Sequence, residues 1–406
     1  MQVVLTVNGP GEVCGWLHPL SAELKARLPG VRIVACALPC VFSTGSETGV
    51  IRSLGTVDAV AGVGESLGLI LRGRRPEGLL NDEPTLVFHL GGEVALSVLL
   101  GLRLGAPRPA YLEHPTPVAR LFRKAFCNGL ARRAGDPPGG TVGELMVDAA
   151  ALRRAGAPRR AEGRGPCIAL FPGSRAYLAV HMLPYCAVVV EALNAERPGL
   201  DWVPGRAPYV PMEVLRNFPP PMAGRSWEAV PLSFAEAGGE AWLETPRGVR
   251  IRILTGPEAM AEADLALTVP DTNTGELAAS GVPMVVALPT YLGHEVPLPG
   301  IPGHLGRLPV VGRRLKRLFG ELRLRRLGLL AQPNVRAGRR VVPELVGEGL
   351  QPTMKAELER LLDADTSALR AELRALMGAP GAARRLAEEI AAVFEAEAPL
   401  RAEAGA

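Results

Sequence analysis

At 406 residues the chain exceeds the roughly 100–200 residues of a single domain and is long enough for two, each burying its own core. A formal net charge of +4 is too small to call for a nucleic-acid partner, and no uninterrupted apolar run reaches the roughly 18–20 residues of a membrane span. Six cysteines without paired ligand spacing, and no cleavable leader pattern, point to reduced thiols in the cytoplasm and to no metal centre.

In chain order, the apolar β-branched run Gln2–Val7 reads as a strand, followed by the glycine-rich turn Asn8–Gly15 and a helical stretch from Leu17 to Leu28. Further strands are expected over Arg32–Ala37, Thr85–Leu90 and Pro109–Leu112, with helices over Val94–Leu104 and Val118–Ala131. Such alternation predicts a parallel sheet wrapped by helices. Cys36 and Cys40, three residues apart, lack a partner pair and read as small buried thiols.

Between Asp148 and Gly165 the composition turns to Ala, Arg, Gly and Pro, and a second α/β domain is expected to follow. Its strand Cys167–Phe171 runs into Pro172–Arg175, and then come helix Met182–Asn194, strand Arg250–Leu254, helix Pro257–Ala263, strand Leu265–Val269, helix Thr274–Ser280 and strand Pro283–Leu288. Pro204–Glu244, rich in Pro and Gly, reads as a long irregular insertion, either a lid or a surface excursion. Met354–Ala398 is helical in propensity. The expected domains are 1–160, with a C-terminal helix at about 381–400 packing back, and 161–380.

Three segments carry chemistry. The turn Pro172-Gly173-Ser174-Arg175 offers backbone amides and a planar guanidinium suited to a diphosphate, although an arginine at such a turn is commonly just solvated. Asp271–Glu276 leads from a strand into a helix, and the helix start at Thr272, Asn273 and Thr274 presents free N–H groups that can meet phosphate. Glu276 in the same element can accept hydrogen bonds from sugar or ribose hydroxyls, or simply complement the helix dipole. Gln332–Val346 combines Asn334, Gly338, Arg339 and a Pro343-Glu344 pair expected to precede a helix.

Together Phe171–Arg175, Thr272–Glu276 with Pro283–Val286, and Gln332–Leu345 resemble lipid-A-disaccharide synthase, the last block most specifically. That resemblance implies a GT-B fold, two Rossmann-like domains facing across a cleft, with UDP held by the C-terminal domain. It implies sugar transfer from a UDP-sugar, UDP-2,3-diacylglucosamine in that family, to a lipid-linked sugar acceptor, with no cofactor beyond the donor substrate. Arg175, Thr274, Glu276, Asn334, Gly338, Arg339 and Glu344 match the family's motifs as donor or nucleotide contacts, with Thr272 and Asn273 beside them. Gly143 and Asp148 match its interdomain segment.

The N-terminal half departs from the pattern. Trp16 stands where the family has Asp, and Phe88-His-Leu-Gly-Gly-Glu-Val94 replaces an acidic segment. An inverting transfer needs a general base within reach of the acceptor hydroxyl. Glu93, His89, Glu12 and His114 qualify by chemistry and strand-end position, and Glu93 is the preferred base. Three have a bland alternative: a helix-start carboxylate for Glu93, a buried strand imidazole for His89, a Pro-rich turn for His114.

Two basic amphipathic segments remain, Val118–Phe126 and Arg313–Phe319 with Arg323, Arg325 and Arg326. The second, Arg313–Arg326, suits an anionic bilayer surface, placing the enzyme peripherally on the inner membrane face. Neither carries a nucleic-acid recognition motif. The leading reading is a lipid-A-disaccharide-synthase-like hexosyltransferase, with a UDP-sugar epimerase or hydrolase, or an inactive nucleotide-sugar or lipid-binding protein, as alternatives. Oligomeric state is left open.

Overall fold

The computed structural model describes residues 1–40, 43, 45–113, 117–122, 124–128, 139–157, 164–219, 228–290 and 328–404, with side chains up to residue 396. His114 and the basic segment Arg313–Arg326 lie outside the described residues. The chain divides into two compact units, Met1–Ala149 with Ala379–Ala406, and Ala150–Gly378.

The first unit is built on strands β1 (Gln2–Val7), β2 (Arg32–Ala37), β3 (Ala59–Ala61), β4 (Thr85–His89), β5 (Ala110–Leu112) and β6 (Ala125–Cys127). Their order is β3-β2-β1-β4-β5-β6, with every neighbouring pair parallel. β1 and β4 are buried at every position, as strands covered by helices on both faces must be, which is why they read as apolar runs rather than alternating ones. The expected helix Val118–Ala131 is instead a short 3-10 turn, Pro117–Leu121, followed by β6. Ala125, Phe126 and Cys127 pair with Ala110, Tyr111 and Leu112 and are buried, so tertiary pairing overrides a helical spacing of cations.

The unit is closed by the helix Ala382–Ala404, which packs on the helix His18–Arg27. Asp148 caps it, its carboxylate accepting from Gly381 N at 2.5 Å and Ala383 N at 2.7 Å. Gly143, at φ 90°, lies against Arg385, whose Nε donates to the Val142 carbonyl at 2.8 Å.

The second unit repeats the plan with β7 (Cys167–Phe171), β8 (Asp201–Arg206), β12 (Leu254–Thr255), β13 (Leu265–Thr268), β14 (Met284–Pro289) and β15 (Glu344–Gly347). The order β12-β8-β7-β13-β14-β15, again all parallel, is the doubly wound order of the first sheet. Helix Ala176–Glu196 has the length and hydropathy of a membrane span. Its Met182, Leu183, Val189, Val190 and Leu193 are core residues beside Trp202 and Leu267, which accounts for that hydropathy within the unit. It runs through Pro184, whose carbonyl accepts from Val230 N at 3.0 Å.

The stretch expected to be irregular, Pro204–Glu244, holds order. Helix Met212–Arg216 is followed by an antiparallel hairpin, β9 (Ser233–Ala237) and β10 (Glu240–Glu244), extended by β11 (Arg250–Arg252). The turn Gly238-Gly239 joins the hairpin with both residues at positive φ, 61° and 85°, which glycine alone adopts without cost. Glu344 opens strand β15 rather than preceding a helix directly.

Candidate functional site

In a doubly wound sheet, ligands bind outside the carboxyl ends of the strands where the strand order reverses. Here those points are β1 against β4 in the first unit and β7 against β13 in the second.

In the second unit, β7 ends in Pro172–Arg175, and a Cβ on Gly173 would meet Val269 at 3.4 Å and Leu178 at 2.8 Å. The turn therefore lies directly on the loop leaving β13. Arg175 is the N-cap residue of helix Ala176–Glu196. The β13 loop folds on itself before helix Asn273–Ser280. Asp271 Oδ1 accepts from Thr272 N at 2.8 Å, and Thr274 Oγ1 donates to the Asp271 carbonyl at 2.9 Å. Asn273 Nδ2 donates to Thr268 Oγ1 at 2.9 Å, while its Oδ1 is enclosed without a partner among the described residues.

The third motif joins the same place. Thr274 Oγ1 accepts from Gln332 N at 3.1 Å, tying the start of helix Gln332–Ala337 to the start of Asn273–Ser280. Asn334 is fully buried and bonded on both ends of its amide. Its Oδ1 accepts from Val341 N and Val342 N at 2.6 and 2.9 Å, and its Nδ2 donates to Val342 O and Glu344 Oε1 at 2.9 and 2.8 Å. Glu344 Oε1 also accepts from Leu330 N and Ala331 N at 2.9 and 2.6 Å. Gly338 ends the helix at φ 64°, and the exposed Arg339 pairs with Glu372.

Glu276, only 4% exposed, is paired through Oε2 with Nη1 of Arg153, in the last turn of helix Leu145–Gly156. Arg153 carried no sequence signal, since the contact spans 123 residues between segments with no shared motif.

In the first unit the expected bases part company. His89 is buried, stacked on Phe122 with centroids 5.3 Å apart, and its Nδ1 is 2.8 Å from Ser97 Oγ. Burial holds it down at about 4, a neutral core imidazole. Glu93 is an exposed N-cap residue of helix Val94–Arg103 whose side chain caps nothing.

Glu12 sits between the two strand ends. Its Oε2 accepts from Asn8 N at 2.7 Å, and a Cβ on Gly91 would fall 1.9 Å from that oxygen. The Gly91-Gly92 pair, within Phe88–Val94, thus lets the β4 loop close over the carboxylate. Although part of the residue reaches the surface, desolvation dominates at the carboxyl and pushes it up to about 7. The N–H groups of Asn8, Gly9 and Gly92 oppose that rise, and the Glu113 charge adds to it. Trp16 lies in a π-helical turn, Val13–Leu17, edge-on to Tyr111 at 6.0 Å. Tyr111 donates to Glu144 Oε1 at 3.2 Å, and Asn128 Nδ2 donates to Glu144 Oε2 at 3.0 Å.

Among the described residues, Cys167, Asp201 and Glu262 are close enough to share a metal ion. Arg252 already supplies the cation there, donating to Asp201 Oδ2 at 3.1 Å and Glu262 Oε2 at 2.5 Å.

No protein-family model matches the chain. Over 95% of its length it is 26% identical to the lipid-A-disaccharide synthase of Anaeromyxobacter dehalogenans strain 2CP-C, covering 96% of that protein. The Myxococcus xanthus lipid-A-disaccharide synthase is likewise 26% identical, over 94% of this chain and 95% of the relative. Among solved structures, S. aureus MnaA in its UDP co-structure aligns with a TM-score of 0.51, at 11% identity and 97% coverage of both chains. A candidate UDP-N-acetylglucosamine 2-epimerase of Listeria monocytogenes aligns with a TM-score of 0.50, at 12% identity over 97% of this chain and 96% of that one. The resemblance and the GT-B fold expected from the motifs are both borne out.

Proposed function

We propose that the chain is a glycosyltransferase that moves a sugar from a UDP-sugar to a lipid-linked sugar, in the manner of lipid-A-disaccharide synthase. The observation that carries this reading is the convergence of three motif segments on one strand-end site. Gly173 lies on Val269, and Thr274 joins the 271–276 loop to Gln332. Full-length similarity to curated synthases, at 26%, supports the same donor chemistry. Thr272 N and Thr274 N are already bonded to Asp271, so the start of helix Asn273–Ser280 offers the diphosphate its dipole rather than a free row of N–H groups, while the Arg175 guanidinium suits the diphosphate and Glu276 the ribose hydroxyls. Asn334 and Glu344 act one step back, holding the loop that presents Gln332.

Glu12 is the general base in this reading, in place of Glu93 or His89. The acceptor hydroxyl attacks the anomeric carbon as its proton passes to the Glu12 carboxylate; the bond from that carbon to the diphosphate oxygen breaks, and UDP departs with the electron pair. A carboxyl poised near neutrality at a strand-end switch point is suited to that transfer.

The test is incubation with labelled UDP-sugars and a panel of lipid-linked sugars. Acceptor-dependent release of UDP with a new glycolipid is expected. Acceptor-independent turnover would instead favour an epimerase or hydrolase, and UDP-sugar binding without turnover an inactive binding protein.

A further inference from the structure

Arg153 and Glu276 form an ion pair with side-chain exposures of 16% and 6%. Glu276 lies in the first turn of Asn273–Ser280 and Arg153 in the last turn of Leu145–Gly156, so each charge also complements its own helix end. Removing two charges from water costs about as much as their attraction returns, and an apolar pair would fill the same volume without that cost. Packing alone therefore gives no reason for this pair. A carboxylate required for binding does, because the planar fork of a guanidinium fixes its orientation.

The geometry is one-sided. Arg153 Nη1 engages Oε2, and among the described residues Oε1 has no recorded partner. We propose that Arg153 is a positioning residue for the nucleotide: by anchoring Oε2 it orients Oε1 toward the ribose diol. This rests on the donor-site reading of Glu276 given above. It assigns a specificity element to a residue 123 positions away from its partner and outside every motif segment.

The test is calorimetric titration with UDP and with 2′,3′-dideoxyuridine diphosphate, which lacks the diol. The wild-type protein is expected to prefer UDP by about 10- to 100-fold, the range of a hydrogen bond to a charged group. Arg153→Met, which keeps the volume, should lose most of that preference while binding the dideoxy nucleotide within about twofold of wild type. Arg153→Lys, retaining charge without the planar fork, should fall between the two. Equal weakening of both nucleotides in Arg153→Met would show a merely structural role and overturn the proposal. Should that variant not fold, an undiminished preference in Arg153→Lys overturns it instead. If the wild type binds no UDP, or Glu276→Gln leaves the preference intact, the donor-site reading falls first and takes the proposal with it.

Discussion

Glu12 has an environment that its neighbours in sequence do not suggest. Its carboxyl titrates near 4.5 when exposed and near 7 in the folded protein, chiefly through desolvation. Between those values the folded state holds a proton that the unfolded chain has released, so this group's contribution to stability falls as pH rises from about 4.5 to about 7. Glu12→Gln should therefore be more stable than wild type at about pH 8 by about 1–3 kcal/mol and gain nothing at about pH 4.5, as urea unfolding at both values will read. The same variant should lose about 10²- to 10⁴-fold in turnover, and wild-type kcat/KM should rise through about pH 7. A flat pH profile together with wild-type turnover in Glu12→Gln would remove it as the base. Gly91→Ala makes a second, steric test. Its Cβ would sit 1.9 Å from Glu12 Oε2, so the β4 loop or the carboxylate must move. Turnover should drop at least about tenfold with a lower Tm, whereas Glu93→Gln, on an exposed residue that caps nothing, should leave Tm unchanged.

At the scale of elements, the Asn334 amide and the Glu344 carboxylate together hold the segment from Leu330 to Glu344. The buried Asn334 satisfies two backbone N–H groups and one carbonyl and bonds the Glu344 carboxylate. Asn334→Ala strands those groups, each costing about 1–3 kcal/mol, and is expected to destabilise the second unit by about 2–4 kcal/mol. UDP affinity should fall with it, because Gln332 N is tied to Thr274 at the donor site. Denaturant unfolding and UDP titration measure the two effects, and unchanged affinity in a protein that still folds would detach the loop from the site. Much at this scale was legible in the sequence. β1 and β2 fall where their apolar β-branched runs predict, since strands buried on both faces leave a composition signal that needs no partner. β6 and the hairpin β9–β10 escaped, because an edge strand and a small surface sheet draw their stability from pairing that spacing does not show. Asn334 and Glu344 were picked out by resemblance, yet their binding to each other emerges only from the fold. Glu12 was a candidate by residue type, and what lifts it above Glu93 is the glycine loop from β4, some 80 positions along the chain.

Over the whole molecule, 45 Lys and Arg against 41 Asp and Glu leave too little net charge for bulk attraction to any polyanion, so a lipid surface must be met locally. The segment Arg313–Arg326 lies outside the described residues, but the first unit presents a second basic and apolar face. Helices Val63–Arg72 and Val94–Arg103 pack together, and Arg103 donates to the carbonyls of Ile70 and Leu71 at 3.3 and 3.2 Å. Around that contact Leu71 is 68% exposed, Leu102 56% and Leu99 46%, and Arg72, Arg74, Arg75 and Arg103 are also exposed. Leucines able to enter the interface, with guanidinium groups at headgroup level, suit an anionic bilayer, where a lipid-linked acceptor would reside. The full chain should therefore co-sediment with vesicles containing anionic phospholipid, more weakly at high salt, and poorly with purely zwitterionic ones. Exchanging Leu71 and Leu102 together for Ser removes two interfacial side chains worth about 1 kcal/mol each when partly inserted, and should weaken vesicle binding by about 10- to 30-fold. Activity on a short-chain, water-soluble acceptor should stay at the wild-type level, because neither leucine belongs to the proposed donor or base machinery, while activity on acceptor embedded in vesicles should fall with the binding. Undiminished sedimentation of the double variant would assign bilayer contact to other parts of the chain.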